Sequence, residues 1–389
     1  MKKVIISLLL ACLSLSALAQ NTGYGSEDED YASLIERIAK LEKKTDAFNL
    51  YLNFAGSYQL TGQNNSWSSA FRAKDLRLEI KGRFGKHLSY RFRHKLNSIQ
   101  EGGTWEKFSK ATDILMVSWK FNDMFTVMGG KFCQFWGGFE YDEVPMYIYE
   151  YSDILNNMDC FLAGAAFSFT PWKGQEFVVN VSNSYSFKMD REYPLGKLVD
   201  GTPIVASKHP FAYIFNWNGH FFDNKLLTRW GGGAYCQAEG FWDKLAFLGT
   251  KLNLSRFQVY FDWMSAWEGL DREKIASSEL AGEQGYLTNV HYNSFVLKAN
   301  WQFAPKWNLM AKGMYETTTV PGLKNYRTAL GYLGAVEFYP LKDQDLRVFL
   351  AYVGRNYRYT AEASAAYPAL VNNAVNRFEV GIMYNIKIY

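Results

Sequence analysis

The side chains best able to do chemistry in this chain are basic, and they recur two positions apart. Arg77, Lys81 and Arg83 share one parity of a short segment, and Arg91, Arg93 and Lys95 share one parity of the next. A period of two belongs to a strand, whose alternate side chains leave on opposite faces. Apolar residues fill the other parity of both segments: Leu76, Leu78 and Ile80, then Leu88, Tyr90 and Phe92. Paired as a hairpin, the two segments would present their six cations as one wall. Such a ladder beside water raises the local concentration of anions. Lys120, Lys298, Lys312, Arg347, Arg355 and Arg377 occupy the same parity elsewhere, against the acids Asp75, Glu79, Asp262, Glu316, Glu337 and Glu379. These charges either select anions or simply pair with one another inside a water-filled space.

A second group is acidic. Glu140, Asp142, Glu143 and Glu150, with Asp153 and Asp159, crowd a stretch too long for a turn, and Lys131 is the base beside them. Facing a basic wall, these acids would set a transverse field and repel phosphate. They could instead face outward, or hold a divalent cation through hard oxygens. Cys133 and Cys160 flank the stretch; an oxidising compartment allows a disulfide that pins it, or two thiols, with Cys236 left over. Catalysis has little support. His87, His94, His209, His220 and His291 sit in unrelated contexts, with no nucleophile elbow and no zinc motif. A lipase on a barrel's outer wall would need a Ser and a His on one face, and the sequence assembles no such pair. No cofactor and no metal is expected.

The elements that must position these groups are strands. The chain has 389 residues, 48% hydrophobic and 17% aromatic, with no apolar run past the first twenty residues long enough for a membrane helix. From residue 49 onward the alternation persists to the end, through Phe257, Val259, Phe261 and Trp263, and finally Phe378, Val380, Ile382, Tyr384 and Ile386. Strand starts fall near residues 49, 72, 87, 112, 124, 160, 175, 209, 224, 242, 256, 290, 306, 326, 345 and 374. Even-numbered strands end in tight turns such as Phe84-Gly85-Lys86, and most odd-numbered ones end in longer loops, the longest about 133–159. Sorting of this kind marks a transmembrane antiparallel β-barrel, all-β, of about sixteen strands. Aromatic clusters (Phe211, Tyr213, Phe215, Trp217; Trp301, Phe303, Trp307; Phe338, Tyr339) suit the headgroup level.

The N-terminal region reads separately. Lys2 and Lys3, the apolar run to Leu15 and Ala17-Leu18-Ala19 form a secretory signal over residues 1–19, with a lipoprotein site at Cys12 as the lesser alternative. Removing the two lysines takes the net charge of +4 to about +2, which argues for no nucleic-acid partner. Residues 20–30 are a polar leader. Over 31–48, Leu34, Ile38 and Leu41 continue an a/d seam, expected to be a periplasmic helix that either lies on its own barrel or joins copies in a trimer. Residues 49–389 form the barrel domain. Glu379-Val380-Gly381-Ile382-Met383-Tyr384-Asn385-Ile386 is similar to the signal read by the barrel-insertion machinery, an expected partner along with outer-membrane lipid.

Four features in one order resemble the phosphate-selective porin O and P family: the signal, the helical coil, the basic segment Phe71-Arg72-Ala73-Lys74-Asp75-Leu76-Arg77-Leu78, and Gly129-Gly130-Lys131-Phe132 leading into a long third loop. The resemblance implies a sixteen-stranded homotrimeric porin in the bacterial outer membrane. Its third loop would fold into the pore, and arginines and lysines would line an anion path. The acids of this third loop depart from that pattern. They make weak anion preference the expectation, with phosphate as one solute, a saccharide porin as the alternative, and a non-conducting barrel of a secretion or surface-assembly complex as a third reading.

Overall fold

A computed structural model describes residues 47–64, 66–98, 104–341 and 344–389. The signal, the leader and the seam residues Leu34, Ile38 and Leu41 lie outside them. The strands are β1 (Asn49–Gln63), β2 (Ser66–Phe84), β3 (Leu88–Lys95), β4 (Thr112–Lys120), β5 (Phe125–Cys133), β6 (Phe161–Trp172), β7 (Gln175–Asn183) and β8 (Phe211–Phe221). They continue as β9 (Leu226–Ala238), β10 (Phe241–Asn253), β11 (Phe257–Leu270), β12 (Thr288–Ala304), β13 (Trp307–Val320), β14 (Leu323–Phe338), β15 (Asp345–Tyr359) and β16 (Asn373–Lys387). Each pairs antiparallel with its sequence neighbours, and β1 pairs with β16, so the sheet closes on itself. Closure leaves no strand edge, the condition for spanning lipid with sheet.

The sixteen expected starts agree closely with these, except that β2 begins at Ser66. Its first residues, Ser66-Trp67-Ser68-Ser69-Ala70-Phe71, carry no apolar alternation, because this end of the hairpin is mostly exposed. Turns close the β9–β10 and β13–β14 hairpins and two residues separate β1 from β2, while the described residues 96–98 and 104–111, with 134–160, 184–210, 271–287 and 360–372, belong to the long connections at the same end.

Register fixes the faces. Leu115, Val117 and Trp119 on β4, Leu248 on β10, Phe261 on β11, Leu297 on β12 and Leu350 on β15 are exposed on the outer face. A belt of this extent would aggregate in water and is satisfied by hydrocarbon. Its turn-side margin is aromatic: Trp217 packs edge-on to Trp230 at 5.2 Å, and Trp307 lies 4.7 Å from Phe338.

The inner face is not uniformly polar. Val296, Met310, Met314, Leu333, Phe349 and Met383 point inward and pack with Phe139, Met146 and Tyr149 of the third loop. Ile114, Met116, Met128 and Val178 do the same around Phe132 and Phe135. An inner parity carrying methionines therefore marks where a loop docks.

Candidate functional site

The third loop, residues 134–160, enters the barrel and is fastened at every stage. Gln134 Nε2 donates to Ser182 Oγ at 2.6 Å, and Asn216 Nδ2 donates to the Phe135 carbonyl at 3.1 Å. Next comes a single helical turn, Phe139–Asp142. Its first two amides, Phe139 N and Glu140 N, donate to the two carboxylate oxygens of Asp262 on β11, at 3.0 and 2.7 Å. Helix-start amides lack intrahelical partners, so a carboxylate here meets both donors and the dipole. Gly138 makes the approach possible, since a Cβ there would stand 2.2 Å from Asp262 Oδ1.

The loop acids then meet cations one by one, all on the barrel strands except Lys110. Glu140 pairs with Lys312 and also accepts from Ser152 N and Oγ. Asp142 meets Arg229 at 2.8 Å, Glu143 meets Lys298 at 2.6 Å, and Glu150 meets Arg377 at 3.0 Å. Asp153 joins Arg327 at 2.6 Å and Arg355, which also binds Glu316. Asp159 meets Lys110 and Ser186 Oγ, both at 2.6 Å. Burial raises the Asp159 carboxyl, but Lys110 and Ser186 outweigh it and hold it below the ordinary value. Deepest, Tyr147 donates to Asp345 beneath the Arg347 guanidinium, 3.7 Å from its ring, and Tyr149 Oη donates to Glu337 at 2.9 Å.

The expectation of an acidic constriction opposing the wall is thereby corrected. Glu140, Asp142, Glu143 and Glu150 face inward, but each is an ion-pair partner, because short-range attraction in a poorly solvated interior exceeds any field shared across the lumen. Lys298, Lys312 and Arg347 contact the third loop and hold it. Among the described residues, no three carboxylates, histidines or cysteines come together as a metal site.

The β2–β3 wall stands apart from this stapling. Lys81 lies opposite Arg91, Glu79 opposite Arg93, and Arg77 opposite Lys95. Arg77 binds Asp75 at 2.6 Å and Asp113 at 2.7 Å, Arg91 binds Glu79 at 2.7 Å, and Arg93 reaches Asp113 at 3.3 Å. Five cations (Arg77, Lys81, Arg91, Arg93, Lys95) thus share three carboxylates (Asp75, Glu79, Asp113), an excess of two positive charges. Lys81, Arg91 and Lys95 are half-buried, whereas Arg83 is exposed at the turn-side rim.

Three further groups have definite places in the structure. Cys133 and Cys160 are neighbours but free thiols. A disulfide needs its sulfurs about 2 Å apart, whereas here the Cys133 thiol donates to Tyr141 Oη at 3.0 Å. Lys131 lies on the outer parity, opposite Leu115, buried against Glu106 at 2.9 Å. The structure also does bring a Ser and a His together on the outer wall: Ser265 Oγ lies 2.8 Å from His291 Nε2, with Asn293 Nδ2 3.1 Å from the same nitrogen. Ser265 is fully buried and beyond the reach of a lipid ester, so the pair belongs to the packing beside Trp267.

Arg229, Arg327, Lys110 and Asp113 were not anticipated. Arg229 sits in Leu226-Leu227-Thr228-Arg229-Trp230-Gly231-Gly232-Gly233, where glycines blur the alternation; its parity with Leu227 and Tyr235 was the available signal.

The fold is shared with several solved structures at low identity. The anion-selective porin from Comamonas acidovorans superposes with a TM-score of 0.57 at 9% identity, over 87% of this chain and 99% of that one. OmpF of Salmonella typhi, complexed with daunomycin, gives 0.58 at 11%, over 89% and 100%. Vibrio cholerae OmpT in its trimer form gives 0.52 at 12%, over 88% and 100%. No curated protein sequence matches the chain. The family model for phosphate-selective porin O and P matches residues 48–386, nearly the whole barrel. A closed sixteen-stranded barrel, an inward third loop and that match lead to one conclusion: the chain belongs to the phosphate-selective porin O and P family, as an outer-membrane porin for passive diffusion of small hydrophilic solutes.

Proposed function

We propose that this porin prefers small anions weakly, with the preference set by the β2–β3 wall alone. One observation carries the reading: each third-loop acid is matched by a cation, from the barrel strands for Glu140, Asp142, Glu143, Glu150 and Asp153 and from Lys110 of the β3–β4 loop for Asp159, while the β2–β3 wall keeps five cations against three carboxylates. Field from the loop therefore cancels over a few ångströms, and field from the wall does not. Salt screens the remainder beyond about 8 Å, so discrimination is on the order of 1 kcal/mol, a few-fold in permeability. Phosphate is one permeant among others, without a dedicated trap.

The test is the reversal potential of the purified porin in a planar bilayer across a chloride gradient, followed by block with phosphate and with maltodextrin. Modest anion selectivity with weak block by both is expected. Strong maltodextrin block would favour a saccharide path, for which Tyr51, Tyr147 and Tyr149 supply inward-facing rings. Absence of stepwise conductance would favour a non-conducting barrel. We also propose a homotrimer, supported by the trimer form of the Vibrio cholerae structure, with the 31–48 seam on the periplasmic side. Replacing Leu34, Ile38 and Leu41 with Ser should loosen it in mild detergent, and a wild-type monomer there would contradict the assignment.

A further inference from the structure

We propose that a cleft on the outer wall, at the loop end of β1, β2, β15 and β16, binds the phosphorylated saccharide headgroup of an outer-leaflet glycolipid. The cleft encloses about 430 Å³, within the range of small-ligand sites, and its lining includes Gln63, Asn64, Trp67, Asn356, Arg358 and Asn376.

Register places it outside the lumen. Gly62 is opposite both Trp67 and Asn376, and Asn376 is opposite Gly354. Side chains across a ladder share a face, so Trp67, Asn356, Arg358 and Asn376 lie on the parity of Leu350, Tyr352, Phe378 and Val380, the lipid row. Arg355 and Arg377, on the other parity, reach the loop acids inside. Height follows from the same rows. Along β15 the outer side chains run Val348, Leu350, Tyr352, then Asn356 and Arg358; along β16 they run Ile382, Val380, Phe378, then Asn376. The change from apolar to amide occurs at an aromatic band, where Phe378 stacks with Trp67 at 6.4 Å and packs on Tyr352 at 4.9 Å. Such bands sit where hydrocarbon meets headgroups. Tight turns on the opposite side and the third loop on this one make this the extracellular margin.

The chemistry is that of a sugar phosphate. Amides both donate and accept, as hydroxyl-rich ligands require. Asn376 accepts from Tyr352 Oη at 2.6 Å through its oxygen, which leaves its amino end as the donor. Trp67 offers a half-exposed ring to a sugar face. Among the described lining residues Arg358 is the charged one, and a guanidinium suits a phosphate fork. A second copy of the chain would call for an apolar contact instead.

The test uses the full-length protein in detergent, titrated with diphosphorylated lipid A bearing inner-core sugars and with its dephosphorylated form. Asn356→Leu with Asn376→Leu should weaken binding of both by about tenfold. Arg358→Gln should weaken only the phosphorylated form, to the level of the other. Conductance and heat-modifiable migration should stay at wild type, since none of the three faces the lumen. Equal binding by wild type and both variants, or no binding by wild type, would overturn the assignment. So would cross-linking of two copies through Asn376→Cys.

Discussion

Asp262 anchors the constriction at the scale of a single side chain. Its two oxygens receive two loop amides inside the barrel, where neither amide has an alternative in water. Asp262→Ala should strand both donors at about 2–4 kcal/mol and appear as gating noise, while Asp262→Asn keeps one acceptor and a milder effect. Quiet, wild-type traces from the alanine variant would show that the loop is held elsewhere. Gly138→Ala tests the same contact from the other side, because the added methyl would displace the carboxylate. Asp262 and the β2–β3 cations were legible as inward residues, since both depend only on parity. Their partners were not. Pairing of Asp142 with Arg229 joins residues far apart in sequence, and nothing local encodes it.

The element that most needs explaining is the third loop. Its ends and its length were visible in the sequence, and its acids looked like a free charge. They are instead consumed by docking, along with a layer of inward methionines that reads, in isolation, as an odd lumen. The thiols at its base predict that intact mass without reductant finds Cys133 and Cys160 unbridged; a loss of two hydrogens would contradict the geometry. A second loop, 271–287, closes over the same region. Arg272 of that loop donates to the carbonyls of Asp159 and Ser184, and beside it Glu273 is buried with neither carboxylate oxygen hydrogen-bonded among the described residues. Burial, foremost, raises the Glu273 carboxyl well above 4.5; Arg272 opposes this, while Asp271, Asp153 and Asp243 add to it. A carboxyl raised in the folded state binds its proton more tightly there, so its stabilisation is complete below about 4.5 and fades as pH rises toward the raised value. Protection factors for hydrogen exchange in 271–287, taken against the intrinsic rate at each pH, should therefore be higher at pH 5 than at pH 8. Equal or reversed protection would count against that sign.

For the whole molecule, closure of sixteen strands follows from alternation and from the sorting of turns and loops, both readable before any coordinates. Three hairpins at the loop end are nonetheless tight, so sorting is a tendency of this barrel and not a rule. How much of the interior remains open was not legible, because it depends on how far one loop penetrates. The electrostatic account has a single centre: the loop charges cancel in pairs and the β2–β3 wall does not. Reversal potential across a salt gradient tests this most directly, comparing Arg91→Glu/Arg93→Glu with the charge-conserving pair Asp142→Asn/Arg229→Gln. The wall change should swing selectivity toward cations, and the paired removal should leave it within about 1 kcal/mol of wild type. A shift from the paired removal that equals or exceeds that from the wall change would contradict the account and return control of the pore to the loop.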